Sequence, residues 1–181
     1  MSTISPDSGP QKWTIDSSHS SIDFSVKHMG VFTVRGSLGA VTGAAETDGS
    51  TITSASLSID IAGITTGNEQ RDAHLKSADF LDVEKFPAME FKSNSVEKIS
   101  DAEYSLTGDL TIVGKTAPIT IKVEIVPPVK DPWGNTRSGV TGAGKLLRST
   151  YGITYNATLE TGHFLIGDEI SFTFDIQATA G

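Results

Sequence analysis

Apolar and polar residues alternate with a period of two along most of this chain. Ile22, Phe24 and Val26 are interleaved with Ser21, Asp23, Ser25 and Lys27, and Leu57, Ile59 and Ile61 with Ser58 and Asp60. Met89 and Phe91 alternate with Glu90 and Lys92. Tyr104, Leu106, Gly108, Leu110 and Ile112 share one parity, as do Ile119, Ile121, Val123 and Ile125. Near the end, Ile170, Phe172, Phe174 and Ile176 alternate with Ser171, Thr173, Asp175 and Gln177. Each run reads as a strand with one apolar and one polar face. Two weaker strands carry glycines: Phe32 to Val41 with Gly36 and Gly39, and Arg137 to Leu147 with Gly139, Gly142 and Gly144. Glycines inside strands mark bends, barrel corners or a close approach to the backbone. The pattern predicts about eight long strands, with a short one at Trp13–Ile15.

One segment breaks the alternation. From Thr65 to Lys76 no strand period is present, and Thr66 followed by Glu69 reads as a capping box that opens a helix ending near Ser77–Asp79. Long antiparallel strands with one apolar face must bury it in a sandwich or a closed barrel. About eight strands enclose an interior wide enough for packed side chains or one ligand. Aromatic residues are 7% of the chain and glycines fall at inward parity, which leans the reading towards a barrel with room inside.

Composition narrows the function. The chain has 181 residues, no cysteine and a formal net charge of −8, with 22 Asp and Glu against 14 Lys and Arg. That length suits one domain. The lack of cysteine removes disulfides, thiolate nucleophiles and zinc-thiolate sites. The acidic balance argues against a nucleic-acid binder and against adsorption to anionic membranes. Residues 1–11, rich in Ser, Pro and Gly, read as a disordered tail ahead of a domain over 12–181. The N-terminus has no basic and apolar signal pattern and no stretch approaches a membrane span, so the cytoplasm is the expected location.

Few residues offer chemistry. Of His19, His28, His74 and His163, no pair has the helical i, i+4 spacing of a metal motif. His28 shares the parity of Phe24 and Val26, and reads either as a hydrogen-bonded strand-end histidine or as a group at a ligand mouth. Arg71 reads either as a tie between the helix and the barrel or as a guanidinium fork facing a phosphate or quinone oxygen. His74 stands beside it on the same predicted helix. Asp72 and Lys76 have the spacing of an exposed helical ion pair. Ser149 and Ser171 lie in no nucleophile elbow. Gly114-Lys115-Thr116 fails the phosphate-loop spacing, because Gly108 lies one position too far upstream. Asp168–Glu169 reads as a hairpin turn rather than an acid/base pair.

Several long blocks resemble one family. The run Trp13-Thr-Ile-Asp-Ser-Ser-His-Ser-Ser-Ile-Asp-Phe-Ser-Val-Lys-His-Met-Gly30, with Val34-Arg-Gly36, is similar to the opening of the YceI-like family. Asn68-Glu-Gln-Arg-Asp-Ala-His-Leu-Lys-Ser-Ala-Asp-Phe80, Asp82-Val-Glu-Lys-Phe-Pro87 and Phe91-Lys-Ser93 resemble its most distinctive stretch. Gly108-Asp-Leu-Thr-Ile-Val-Gly-Lys-Thr116, and Gly152 after Leu147-Arg-Ser149, complete the likeness over roughly 13–178. Leu81 departs from the pattern, since many members carry a second Phe there.

The resemblance implies an all-β fold, an extended lipocalin-like antiparallel β-barrel with one short inserted helix, and commonly a homodimer. It also implies an apolar pore that binds a polyisoprenoid, either an isoprenoid quinone or a polyprenyl phosphate. No catalytic residue, cofactor or metal is expected, because the candidate residues above form no set that compels one. The expected pore wall is Phe24, Val26, Phe32, Leu75, Phe80, Phe86, Phe91, Leu110, Ile121, Leu146 and Phe172, and the expected polar mouth is His28, Arg71 and His74. The leading expectation is a non-catalytic carrier or store. Its alternatives are an enzyme acting on an isoprenoid or other small apolar substrate, which requires a polar pair inside the barrel, and an interaction module with a filled barrel.

Overall fold

A computed structural model describes residues 9–181. It holds ten strands: β1 (Pro10–Ile15), β2 (Ser21–His28), β3 (Phe32–Ser37), β4 (Val41–Asp48), β5 (Thr51–Asp60), β6 (Ala88–Lys98), β7 (Glu103–Ile112), β8 (Lys115–Lys130), β9 (Thr136–Leu147) and β10 (Ile166–Ala180). One helix, α1 (Glu69–Lys76), lies between β5 and β6. All pairings are antiparallel, in the order β1-β4-β5-β6-β7-β8-β9-β10, and the ring closes where Trp13 pairs with Ala180. Eight strands therefore form a closed barrel, and closure leaves no free edge in that ring. β2 and β3 extend from β10 beyond it. The fold is the all-β, lipocalin-like barrel with a short inserted helix that the alternation and the resemblance together predict.

Local chemistry sets the boundaries. β7 and β8 join through Val113 and Gly114, both left-handed (φ 50° and 71°), the two-residue turn whose twist matches the flanking strands. The weak strand expected over Phe32 to Val41 is two strands. The chain breaks at Gly39, whose amide donates to the Asp60 carbonyl at 2.8 Å, and a Cβ there would lie 2.6 Å from that same oxygen. The helix cap lies two residues later than the Thr66–Glu69 pattern suggests. Asn68 is the cap, its side chain accepting the Arg71 amide at 2.9 Å. Thr66 instead holds Asp72 through its amide (2.8 Å) and hydroxyl (2.6 Å), which keeps that carboxyl below its ordinary range. Asp72 is thus committed to Thr66 rather than to Lys76. β1 starts at Pro10, inside the stretch read as a tail, because Pro10 and Gln11 pair with Asp48 and Thr47. Residues 1–8 of that tail lie outside the described residues.

The barrel has two distinct ends. The β4–β5, β6–β7 and β8–β9 hairpins gather at one, the hairpin end. The segment 61–87 with α1, the β7–β8 turn and residues 148–165 gather at the other, the helix end. At the helix end Ile61, Ile64, Phe80, Leu81, Ile112, Tyr151 and Ile153 form a buried cluster. No helix among the described residues is long and apolar enough to cross a membrane.

Glycine and phenylalanine are matched across strands. Phe24 stands opposite Gly36, Phe172 opposite Gly144 and Phe174 opposite Gly142. A Cβ at Gly36 would come 2.6 Å from the Phe24 ring, and one at Gly144 would come 2.5 Å from the Phe172 ring. Phe91, opposite Leu110, reaches diagonally over Gly108, where a Cβ would come 2.7 Å from its ring. Each ring folds back on a bare backbone instead of pointing to the barrel axis.

One ion cluster ties the hairpin end together. Arg137 donates to Asp16 and Asp131 at 2.7 Å each. Hydrogen bonds from Ser18, His19 and Arg137 hold the Asp16 carboxyl far below its usual range, and Arg137 does the same for Asp131.

Two outcomes are expected. Gly144→Val forces the Phe172 ring off its seat and lowers stability by about 1–3 kcal/mol in denaturant unfolding, through overpacking. In the Asp16–Arg137–Asp131 cluster, both carboxyls titrate lower in the folded than in the unfolded chain, so their stabilisation is complete above about pH 4 and is lost as pH falls further. A thermal midpoint measured from pH 6 to pH 3 drops in that acid window, and Arg137→Met makes the drop shallower.

Candidate functional site

The two faces of the barrel wall follow from the period of two: outward parity is Ser, Thr, Lys, Asp and Glu, and inward parity is aliphatic or aromatic. Because the inward phenylalanines lie back on glycines, the interior is not filled. A continuous apolar cavity of about 610 Å³ runs through it. Its wall includes Ile112, Leu110, Leu106 and Ala102 along β7 and the turn before it. The ten residues of β7 span about 33 Å of strand, or about 25 Å along the axis at the usual barrel tilt.

The cavity is closed at one end and open at the other. At the helix end its wall is Phe80, Leu81, Tyr151, Ile153 and Arg148, all buried. At the hairpin end the wall reaches Ser50, Asp101, Ala102, Pro127 and Pro128, all exposed. The mouth therefore lies among the hairpins. Ile99, Val126, Val129 and Trp133 stand exposed on those same hairpins, Trp133 at 81%. The polar groups of the mouth are already engaged. Trp13 Nε1 donates to Thr47 Oγ1 at 3.0 Å, the Tyr104 hydroxyl donates to the Ser50 carbonyl at 2.9 Å, and Lys98 pairs with Asp101 at 3.2 Å.

The structure places Phe24, Val26, Leu75, Phe80, Phe91, Leu110, Ile121, Leu146 and Phe172 in the cavity wall. Phe32 and Phe86 are not in it. Phe32 begins β3, which extends past the closed ring, so no facing wall covers it and it is 61% exposed. Phe86 packs from outside on the β7–β8 turn, where a Cβ at Gly114 would lie 2.7 Å from its ring.

The expected polar mouth is also relocated, since all three of its residues lie at the helix end, outside the cavity wall. His28 pairs with Ile166 beyond a bulge in β10 that separates it from Val26 and the barrel proper. Arg71 donates to Thr66 Oγ1 (2.7 Å) and the Thr66 carbonyl (2.9 Å), tying α1 to its own entry loop. His74 binds Asp79 at 2.8 Å and packs edge-on against Phe80 and Tyr155, bracing the closed end from behind. Asp168 and Glu169 are strand residues of β10 and not a turn: Asp168 accepts from the Ser149 amide and hydroxyl, and Glu169 pairs with Lys145. Among the described residues no three His, Asp or Glu side chains cluster as metal ligands do.

Sequence reasoning passed over Arg148 and Tyr151. They sit on a single 3-10 turn, Arg148–Tyr151, between β9 and β10. Arg148 is 6% exposed. Its Nε donates to the Gly167 carbonyl, Nη1 to the carbonyls of Ile153 and Tyr155, and Nη2 to that of Ile166, at 2.9 to 3.3 Å. One guanidinium thus pins the 152–165 loop across the closed end. Burial lowers its pKa and raises that of the Tyr151 phenol, so the phenol stays protonated at neutral pH. The available signal was a charged residue standing just after the inward run of β9, where alternation stops.

The family model described as YceI-like domain matches residues 13–178. A UPF0312 protein of Staphylococcus aureus is 37% identical over 163 residues, covering 88% of this chain and 92% of the relative. The crystal structure of a Campylobacter jejuni YceI protein is 28% identical, with a TM-score of 0.70 over 84% of this chain and 88% of that one. A polyisoprenoid binding domain from Saccharophagus degradans, implicated in plant cell wall breakdown, shares the fold at 12% identity, with a TM-score of 0.69 over 93% of this chain and 98% of that one.

Arg148→Met strips donors from four carbonyls around the closed end. The expected cost is about 3 kcal/mol or more in chemical denaturation, with faster amide exchange confined first to residues 152–165.

Proposed function

The chain belongs to the YceI-like family, and on that premise we propose that it is a non-catalytic carrier or store for a long isoprenoid lipid held in the barrel cavity. The observation that carries this reading is the shape and chemistry of the cavity: a continuous apolar bore, sealed at the helix end and open among the hairpins. Each methylene transferred from water into such a wall contributes about 0.8 kcal/mol, so a methyl-rich chain with one small polar head suits it. The polyisoprenoid binding domain of Saccharophagus degradans, which has the same fold, supports that ligand class. Isoprenoid quinones and polyprenyl phosphates are the candidate ligands.

The filled-barrel alternative requires a core without a bore, which the cavity argues against. The enzymatic alternative requires an acid and a base converging inside. The titratable groups of the closed end are a guanidinium engaged by four carbonyls and a phenol whose pKa is raised, neither suited to take a proton at neutral pH. The proposal keeps the cytoplasm as the place of action and a homodimer as the working form. Exposed Met29, Val31, Phe32 and Phe164 near the β2–β3 hairpin offer apolar surface for a second copy.

Organic extraction of the purified protein, followed by mass spectrometry, tests the reading. The expected result is a stoichiometric isoprenoid quinone or polyprenyl phosphate. Ile121→Trp, which projects a large ring into the bore, retains the fold by circular dichroism and cuts lipid recovery at least about tenfold. A protein that yields no lipid, and takes up neither a quinone nor a polyprenyl phosphate from detergent, is not such a carrier.

A further inference from the structure

We infer that the closed end of the cavity is a head-group site, in which Arg148 and Tyr151 receive a carbonyl oxygen of a neutral ligand head. The ligand then enters head first and its tail reaches back to the hairpin mouth. This rests on the carrier reading above and adds to it the orientation and the head chemistry.

Two donors are left over at that end. The Tyr151 hydroxyl makes no hydrogen bond among the described residues, although the residue is 3% exposed and forms part of the cavity wall. No enclosed side-chain polar atom among the described residues lacks a partner, so this unbonded phenol oxygen keeps surface open to a small molecule, where a phenol ordinarily finds a hydrogen-bond partner. Arg148 carries five N–H groups, and its four bonds to carbonyls leave one Nη2–H over. The two residues are spaced i, i+3 on a 3-10 turn, where side chains eclipse and share a side.

Charge points the same way. No carboxylate among the described residues lies within ion-pair distance of Arg148, and the nearby Asp168 is engaged by Ser149. Asp168 acts on the guanidinium only through space, and a buried cation with no carboxylate in contact favours a negatively polarised oxygen beside it. The charged residue of the mouth wall is Asp101, an anion. Lys98 pairs with it at 3.2 Å, so the positive charge of Arg148 at the closed end is the one in the wall without a direct ion-pair partner. A phosphate monoester would bring about −1.5 to −2 charges against one guanidinium, leaving net charge buried in an apolar chamber. A quinone-type carbonyl accepts both donors without that penalty.

The test compares decylubiquinone, farnesyl phosphate and squalene, quantified by mass spectrometry after co-elution with the wild type and with Tyr151→Phe. The phenol hydroxyl bonds no protein group, so the variant keeps the wild-type melting temperature. The expected result is a loss of about five- to tenfold in quinone affinity, the scale of one hydrogen bond, with squalene unchanged. The location is read separately in a Trp133→Phe background. Trp13, in the wall towards the mouth, is then the sole tryptophan, and bound decylubiquinone leaves its emission largely intact. Equal quinone affinity in Tyr151→Phe, strong contact quenching of Trp13 by bound quinone, or tighter binding of farnesyl phosphate than of decylubiquinone each overturns the head-first neutral site while leaving the carrier reading standing. Failure of all three ligands to bind removes the carrier reading and this site with it.

Discussion

The hollow interior of this barrel depends on phenylalanine rings lying on glycines of the next strand. Eight strands enclose a space that side chains of ordinary size can fill. Phe24, Phe91, Phe172 and Phe174 are large enough to fill much of it if they pointed at the axis. Instead each ring occupies the volume that a neighbouring Cβ would need, over Gly36, Gly108, Gly144 and Gly142. The rings become part of the wall. The bore, its apolar lining and its length all follow from that one exchange of side-chain volume between paired strands.

A hollow barrel must still be sealed somewhere, and the two ends solve this differently. At the helix end a satellite core of aliphatic and aromatic residues is closed over by the 152–165 loop, and the loop is held by a single buried guanidinium with four carbonyl acceptors. His74 supports the same wall from outside through Phe80 and Tyr155. At the hairpin end, exposed prolines and turn residues interrupt the wall, and an ion cluster built on Arg137 holds the hairpins without covering the bore. Rigidity at one end and access at the other are thus separate pieces of chemistry.

Much of the fold was readable in the alternation, because a period of two assigns each residue of a long strand to one face. Phe24, Phe91, Leu110, Ile121, Leu146 and Phe172 fall on the wall for that reason alone. The errors came where a strand outlasts its barrel or where no strand exists. Phe32 has the right parity but overhangs the ring, and His28 lies beyond a bulge. Arg71 and His74 sit on a helix whose polar groups are consumed by Thr66 and Asp79. The residues that mattered at the closed end, Arg148 and Tyr151, stand on a short turn with no periodic signature.

The glycines show the division most clearly. As a sequence, Gly36, Gly142 and Gly144 marked bends or close approaches, Gly108 stood only at inward parity, and a low aromatic content hinted at room inside. Alternation and composition determined an acidic all-β protein whose strands carry one apolar and one polar face, to be buried in a sandwich or a barrel. Strand register decided the rest, since only pairing across the sheet sets each ring over its glycine. The tertiary closure of the ring decided which end opens, because the mouth is made of hairpins that are distant in sequence and meet only when the barrel is complete.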